Sequence, residues 1–236
     1  MATHHGLDLG PDRDLDALPL RERKKIQTGG RIFRTAIGLF VERGFDQVSV
    51  AEIAAAAEVS KMTVFNYFPT KEDLVLGPVE QHLDEPARVV RDRAPGTSAV
   101  TALREHFLAA LERLDPATGL NDDAVVLDVI RLIHATPSLA LRATSAFDRR
   151  AQSLLADELR RQDPAHDELT ARVAAAQLLA VRLTLIAGNH LRMLADERAA
   201  DALPGALDEA RRAFAVVEHG LGTYCAGPAR PGAGAA

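Results

Sequence analysis

Apolar residues recur at helical spacing along most of the chain, and no stretch alternates convincingly with the period of two that indicates a β-strand. The segment from Ser49 to Asp73 predicts a helix, a tight turn, a second short helix and the start of a third. Ser49 and Glu52 have the S-x-x-E spacing of a capping box, and Ser60 is a second candidate N-cap. Two short helices joined by a tight turn are the units of a helix-turn-helix, whose second helix can enter a DNA major groove.

The second of these helices, residues 61–68, has an apolar and a polar side at 100° per residue. We expect the apolar side to face the core, and it consists of Val64, Phe65 and Phe68. The polar side carries Met62, Thr63, Asn66 and Tyr67. Asparagine pairs with adenine, Thr and Tyr reach phosphates, and Met contacts a thymine methyl group. An ordinary solvated helix face has the same composition, so this pattern by itself supports both interpretations equally.

Residues 31–74 resemble the N-terminal DNA-binding domain of the TetR family of bacterial transcriptional regulators. The motifs that carry the resemblance are LF-x-E-x-G-F at 39–45, S-V-A-E-I-A at 49–54, VSKMTVFNYF at 59–68 and KEDL at 71–74. The resemblance implies base contacts from Lys61, Met62 and Asn66. It implies phosphate contacts from Ser49, Thr63, Tyr67 and Lys71.

Three positions depart from the family pattern. Glu58 stands in the turn where the family usually has glycine, so a non-glycine residue is expected at positive φ, at a cost of about 1 kcal/mol. Met62 stands where the family often has glycine, so base recognition here can differ from other members. The pair Gly29-Gly30 falls inside or at the edge of the first helix, where each glycine costs about 1 kcal/mol relative to alanine, and the start of that helix is left open.

The formal net charge of −5 is unevenly distributed. Residues 21–34 hold six basic side chains against Glu22 alone, which is +5, so the rest of the chain carries −10. A basic block beside a helix-turn-helix provides a surface for phosphates, and we place Arg31 among the predicted DNA contacts. Without the neighbouring helix-turn-helix motif, we would interpret the basic block as an ordinary solvated run of charges.

The patterns predict an all-α protein with an N-terminal three-helix DNA-binding domain and a C-terminal helical ligand-binding and dimerisation domain. We expect a flexible arm at 1–20, the helix-turn-helix domain at 21–75, the second domain at 76–223 and a disordered tail at 224–236. Gly77-Pro78 and Pro86 predict a broken or kinked connector. Asn121 is a candidate N-cap for the helix that ends near His134. Further helices are expected at 98–114, 138–162, 166–197 and 206–220.

The helix at 166–197 is apolar on more than one side, so one side can pack in its own domain and another against a second copy. Packing of all these sides within one subunit is the alternative. Candidate effector-binding residues are polar groups on apolar helices together with one aromatic residue, namely Asp128, Arg131, His134, Arg182 and Phe107. The sequence equally allows another interpretation of these residues. In it, Asp128 and Arg131 form an ordinary i,i+3 pair, His134 is solvated and Phe107 lies in the core.

We find no HExxH, no spaced Cys/His cluster and no glycine-rich phosphate loop, so we expect no enzyme activity, metal or cofactor. A single cysteine, Cys225, and the lack of a signal-peptide pattern predict a cytoplasmic protein. Gln177 and Arg182 interrupt the most apolar run, which favours a buried helix over a membrane span. The predicted function is a homodimeric repressor that binds a near-palindromic operator and is released by a small molecule. A constitutive DNA-binding protein without an effector is the alternative.

Overall fold

The protein is described here by a computed structural model that covers residues 19–165 and 167–220, without the side chains at 146–148. Within these ranges the chain forms eleven α-helices and no strand, so the all-α expectation is confirmed. The predicted tail with Cys225, and all but the last two residues of the predicted arm, lie outside the described residues.

The first four helices form the N-terminal head. They are α1 (Leu20–Arg43), α2 (Val50–Ala56), α3 (Lys61–Tyr67) and α4 (Asp73–Glu80). The chain enters α1 after Pro19, so Gly29 and Gly30 lie inside this helix, where both are buried. The helix ends at Gly44, whose φ of 88° is favourable for glycine, and the Gly44 N–H donates to the Phe40 carbonyl.

Seven helices build the second domain. They are α5 (Glu85–Asp92), α6 (Ala99–Glu112), α7 (Ala124–Ala135), α8 (Pro137–Ala146), α9 (Gln152–Gln162), α10 (Glu168–Leu194) and α11 (Ala199–His219). The helix expected at 138–162 is divided into α8 and α9 by a π-helical stretch, Phe147–Ala151. The last helix begins at Ala199, earlier than expected. Asp123, not Asn121, caps α7, because the Asn121 side chain instead bonds the Leu114 carbonyl and the Asp123 N–H.

The connector between the head and the second domain breaks at a different place from the one expected. Helix α4 continues through Pro78, and the break lies at residues 81–84, before Pro86 in the first turn of α5. Proline removes one helical N–H, but Leu74 and Leu76 are fully buried and hold α4 in the core. The prediction of an interruption at Gly77-Pro78 was therefore wrong.

The head core extends beyond the head itself. Ile32, Phe33 and Phe40 of α1 pack in one cluster with Val129 and Leu132 of α7. A second cluster fills the centre of the C-terminal domain between α5, α6, α9, α10 and α11. Because α7 contributes to the core of the head, the second domain packs directly against it.

By length and composition α10 is apolar enough to cross a membrane. In the described part of the chain it packs along α9 and α11, with Leu178 and Leu185 buried and the charged Arg182 near its middle. Only 33% of its apolar window is buried within the described chain, so one side of α10 lies in the core of the single chain.

Candidate nucleic-acid interface

Helix α2 begins with the predicted capping box. The Glu52 N–H donates to Ser49 Oγ at 3.3 Å, and the Ser49 N–H donates to Glu52 Oε2 at 2.9 Å. Arg43, in the last turn of α1, donates to Glu52 Oε1 at 2.7 Å. The Ser49 N–H, followed by Arg43, lowers the pKa of Glu52 to about 2. The start of α2 is therefore bonded to the end of α1.

The turn between α2 and α3 adopts the expected left-handed conformation. Glu58 has a φ of 53°, so the departure from glycine is accommodated at a small backbone cost. Ser60 then caps α3, with its Oγ accepting the Thr63 N–H at 3.0 Å. These two residues set the angle at which α3 leaves the turn.

The exposed side of α3 is close to the predicted one. Met62 is 69% exposed, Asn66 is also exposed, and Thr63 is half-buried. Phe65 was expected in the core but is 38% exposed, because only Val64 within this seven-residue helix and the C-cap residue Phe68 face the core. The Lys61 ammonium lies 5.8 Å from the centre of the Phe65 ring. Phe65 therefore adds an apolar ring beside the polar arc, which the helical-wheel reasoning missed.

Tyr67 is less exposed than the sequence suggested. Its ring packs on α1 at Gly29, where an added Cβ would lie 3.2 Å from Tyr67 Cδ1. A side chain at position 29 would displace the ring. The buried glycine inside α1 thus leaves space for the Tyr67 ring.

Lys71 is held by the loop between α1 and α2. Its Nζ donates to the carbonyls of Phe45, at 2.8 Å, and Val48, at 3.1 Å, and lies 4.4 Å from the centre of the Phe45 ring. This geometry gives Lys71 a role in holding the head together, which adds to the phosphate contact that the resemblance implies.

The basic block forms part of the exposed surface of α1. Its exposed members are Arg21, Lys24, Lys25, Arg31 and Arg34. They lie on the helix that contacts α3 through Gly29 and Tyr67. Positive charge on this helix suits a polyanionic partner.

Replacing Ser49 by alanine is expected to destabilise the protein by about 1 kcal/mol, because the α2 cap is lost. The contribution of Glu52 has a defined pH dependence. Its pKa is lowered from 4.5 to about 2, so this contribution is present above pH 4.5 and is lost as the pH falls through 2. Urea unfolding of Ser49→Ala and wild type at pH 7 measures the loss of the cap, and unfolding of Glu52→Gln and wild type at pH 7 and pH 2 measures the pH-dependent contribution of Glu52. Equal free energies of unfolding at pH 7 would contradict the prediction.

A second surface joins the head to the C-terminal domain. Arg142 of α8 donates to Thr70 Oγ1 at 2.9 Å, to Glu80 Oε1 at 3.1 Å and to the buried carboxylate of Asp73. Thr70 and Asp73 also bond each other's backbone N–H at the start of α4, whose first residue is Asp73. No sequence pattern pointed to Arg142, because its partners are more than sixty residues away.

The candidate effector residues fall into two groups. On α7, Arg131 Nη1 lies 3.5 Å from Oδ1 of Asp128, and Arg131 Nη2 lies 3.3 Å from Oδ1 of Asp196. His134 Nε2 lies 3.5 Å from Nδ1 of His190, and burial, with the charge of His134, lowers the pKa of His190 to about 4. In this group the structure thus contains the ordinary ion pair that the spacing allowed.

Phe107 and Arg182 lie in the central core of the second domain. The Phe107 ring is buried, with its centre 6.2 Å from that of Phe214. Arg182 donates through Nη2 to Glu85 Oε2 at 2.7 Å. Glu85 also meets His106 Nε2 at 3.1 Å and His82 Nδ1 at 3.8 Å. The i,i+3 spacing of His82 and Glu85 was a signal that the sequence reasoning overlooked.

A groove with a volume of about 320 Å³ lies between α9 and α10. Arg149, Arg160 and Arg172 line it together with Asp157 and Glu168. The predicted effector residues do not contribute to this groove. Among the described residues, no group of three His, Cys, Asp or Glu side chains is placed to hold a metal ion.

Comparison with known proteins agrees with this geometry. A family model described as bacterial regulatory proteins, tetR family, matches residues 32–77. The HTH-type transcriptional regulator TcmR of Streptomyces glaucescens is 30% identical over 141 residues, which is 58% of this chain and 62% of TcmR. The HTH-type transcriptional regulator LuxR of Vibrio harveyi is 41% identical over 64 residues, which is 26% of this chain and 31% of LuxR. The matches thus span less than two thirds of these relatives.

Solved structures show the same fold over most of the chain. GusR of Salmonella enterica has a TM-score of 0.52 at 18% identity, with 82% of this chain and 95% of GusR covered. NalD, the secondary repressor of the MexAB-OprM multidrug efflux pump in Pseudomonas aeruginosa, has a TM-score of 0.52 at 20% identity, with 80% and 96% covered.

The two capped helices at a tight turn and the exposed side of α3 define a helix-turn-helix protein of the DNA-binding class. The family model shows that residues 32–77 form a DNA-binding domain of the tetR family of bacterial regulatory proteins, and the chain as a whole is similar to HTH-type transcriptional regulators.

Proposed function

We propose that the protein is a ligand-responsive repressor that binds a near-palindromic operator as a homodimer and is released by a small molecule. The observation that carries this proposal is the exposed arc of Met62 and Asn66 on the capped helix α3, beside a basic α1. Each α3 would enter a major groove, with the half-sites about 34–36 Å apart. A cytoplasmic location, without a cofactor or catalytic activity, is part of the proposal.

The contacts divide into two kinds. We assign base contacts to Lys61, Met62 and Asn66. We assign phosphate contacts to Arg31, Ser49, Thr63, Tyr67 and Lys71. The polar groups of Ser49, Thr63 and Lys71 already bond within the head, to Glu52, Ser60 and the Phe45 carbonyl, so a phosphate contact requires each to redirect a donor.

Asn66→Ala is expected to weaken operator binding by about 1–3 kcal/mol and to relax the preference at one base position, because an amide that pairs with a base edge is lost. Binding to a set of operators with single base changes measures both effects. Tyr67→Phe is the matched control: it removes one hydroxyl and should weaken all sequences alike. A uniform loss with Asn66→Ala would show that Asn66 does not read a base.

The dimer proposal rests on a stripe along α10 that the single chain leaves exposed. Leu169 is 67%, Val173 48% and Leu191 65% exposed, and Ala180 and Ala187 between them are exposed as well. These positions follow spacings of three and four residues or their sums, so they share one side of the helix. An apolar stripe that runs the length of a helix is suited to a second copy of the same helix.

The effector site is proposed for the second domain, with Arg182 and Phe107 among its residues. We also assign effector contacts to Asp128, Arg131 and His134, which form the other group of candidate residues, on α7. A ligand shifts DNA binding only when its affinity differs between two states of the head, and the direct packing of α7 on the head core offers a route.

Sequencing of genomic fragments that the protein retains identifies the operator, and neighbouring genes indicate effector chemistry. Release of that operator by a small molecule supports a ligand-responsive repressor. Operator binding that no candidate metabolite alters supports the constitutive alternative, and failure to retain any fragment contradicts both.

A further inference from the structure

We infer that the cluster of Arg182, Glu85, His82 and His106 binds the carboxylate of an organic acid with an apolar body. The inference rests on the proposed ligand-responsive function and names the class of effector. It is carried by a buried guanidinium that lacks one of its hydrogen-bond partners.

The exposure of the side chains in this cluster increases from Arg182 in the core to the two histidines near the surface. The side chain of Arg182 is 9% exposed and that of Glu85 is 15% exposed. The side chains of His82 and His106 are 37% and 34% exposed. The two histidines are therefore nearest to solvent, and Arg182 is the most deeply buried member of the cluster.

The buried guanidinium is only partly satisfied. Its Nη2 donates to Glu85, whereas Nη1 is buried and has no hydrogen-bond partner. An unpaired donor on a buried charge is costly, and native proteins seldom keep one without a reason. A ligand oxygen that accepts from Nη1 would remove this cost.

The charges of the cluster leave room for a second anion. Burial opposes ionisation of Glu85, but His106, His82 and Arg182 together lower the pKa of this carboxyl well below its usual range. Glu85, against the opposing effect of burial, raises the pKa of His82. One carboxylate is thus shared by a guanidinium and two imidazoles, and a carboxylate ligand matches the free limb of the guanidinium.

The side chains around Arg182 indicate the chemistry of the ligand beyond its carboxylate. Leu178, Leu179 and Leu185 lie within one turn of Arg182 on the same side of α10, and all three are buried. Phe107 follows His106 on α6 and is buried as well. An acid with an apolar body fits these contacts better than a small inorganic anion does.

The position of the cluster connects binding to the head. His82 lies in the break between α4 and α5 and Glu85 is the first residue of α5, whereas His106 and Arg182 lie on α6 and α10. A carboxylate that competes with Glu85 for Arg182 changes the contact that holds the start of α5. Since α4 carries the Asp73 and Glu80 partners of Arg142, this change reaches the head.

Calorimetry on the full chain with benzoate and decanoate, and with benzyl alcohol and decanol as neutral counterparts, tests the inference. At least one acid is expected to bind, roughly tenfold or more tightly than its alcohol. Arg182→Lys keeps a cation for Glu85 but removes the free limb, so it should weaken acid binding about tenfold. Arg104→Lys is the matched control, since Arg104 pairs with Glu218 at 2.6 Å, and should change affinity by less than about twofold.

Glu85→Gln keeps an acceptor for Arg182 but removes the competing charge, so it should strengthen acid binding, a change that misfolding does not produce. Equal affinity for acid and alcohol, unchanged affinity in Arg182→Lys, or no acid binding below about 10 mM overturns the inference. Operator binding is measured on the same samples without ligand. Acid binding that leaves operator affinity unchanged supports the site but contradicts ligand-responsive repression. If the protein binds no operator even without acid, this result contradicts only the proposed function.

Discussion

Ala180→Glu in the exposed stripe of α10 is expected to leave the protein monomeric and to weaken binding to a two-half-site operator by roughly 10²–10⁴-fold. Ala180 is exposed in the single chain, near the middle of the stripe, so the glutamate places no charge in the folded core. In a dimer, the same carboxylate would lose its water without a partner, which is costly.

Sedimentation in dilute solution and binding to operators with one or two half-sites measure the two effects. Leu141→Glu is the matched control, because Leu141 is 72% exposed on α8, outside the stripe. It should change neither the mass nor the operator affinity. An Ala180→Glu protein that remains dimeric would show that α10 does not form the interface.

Arg142→Ala is expected to lower the free energy of unfolding by about 2–3 kcal/mol. This is below the roughly 3–5 kcal/mol for a fully buried pair, because the Arg142 side chain is 32% exposed. Its removal leaves the buried carboxylate of Asp73 without its cation and frees Thr70 and Glu80. These partners lie at the start and end of α4, so the same variant should loosen the orientation of the head.

Urea unfolding measures the loss of stability, and amide hydrogen exchange in α4 measures the loosening. Arg131→Ala is the control, since Arg131 is 49% exposed between Asp128 and Asp196 and should cost less than about 1 kcal/mol. Equal costs for the two variants would mean that Arg142 does not hold the head.

Local features of the head were predictable because they depend on residues close together in the chain. The capping box of Ser49 and Glu52 and the Ser60 cap are contacts over three residues, and both are confirmed. The positive φ at Glu58 follows from the turn that separates two adjacent helices. The buried stripe of α1 follows from helical periodicity.

Features that depend on distant contacts were missed or misplaced. Phe65 was assigned to the core because its angle on the helix allows it, but neighbouring helices cover only the side of Val64 and Phe68. Helix α4 passes through Pro78 because packing outweighs a lost hydrogen bond. Asn121 lost its capping role because Leu114 offered its side chain another partner.

By itself, the sequence determined the helical class, the helix-turn-helix and the family, since periodicity, caps and turn residues act over a few positions. Tertiary structure alone decided which side of α3 is exposed, which cation pairs with the carboxylates of α4 and which carboxylate pairs with Arg182. Those outcomes depend on side chains up to about a hundred residues apart, whose meeting is set by how helices pack and which charges burial leaves unpaired.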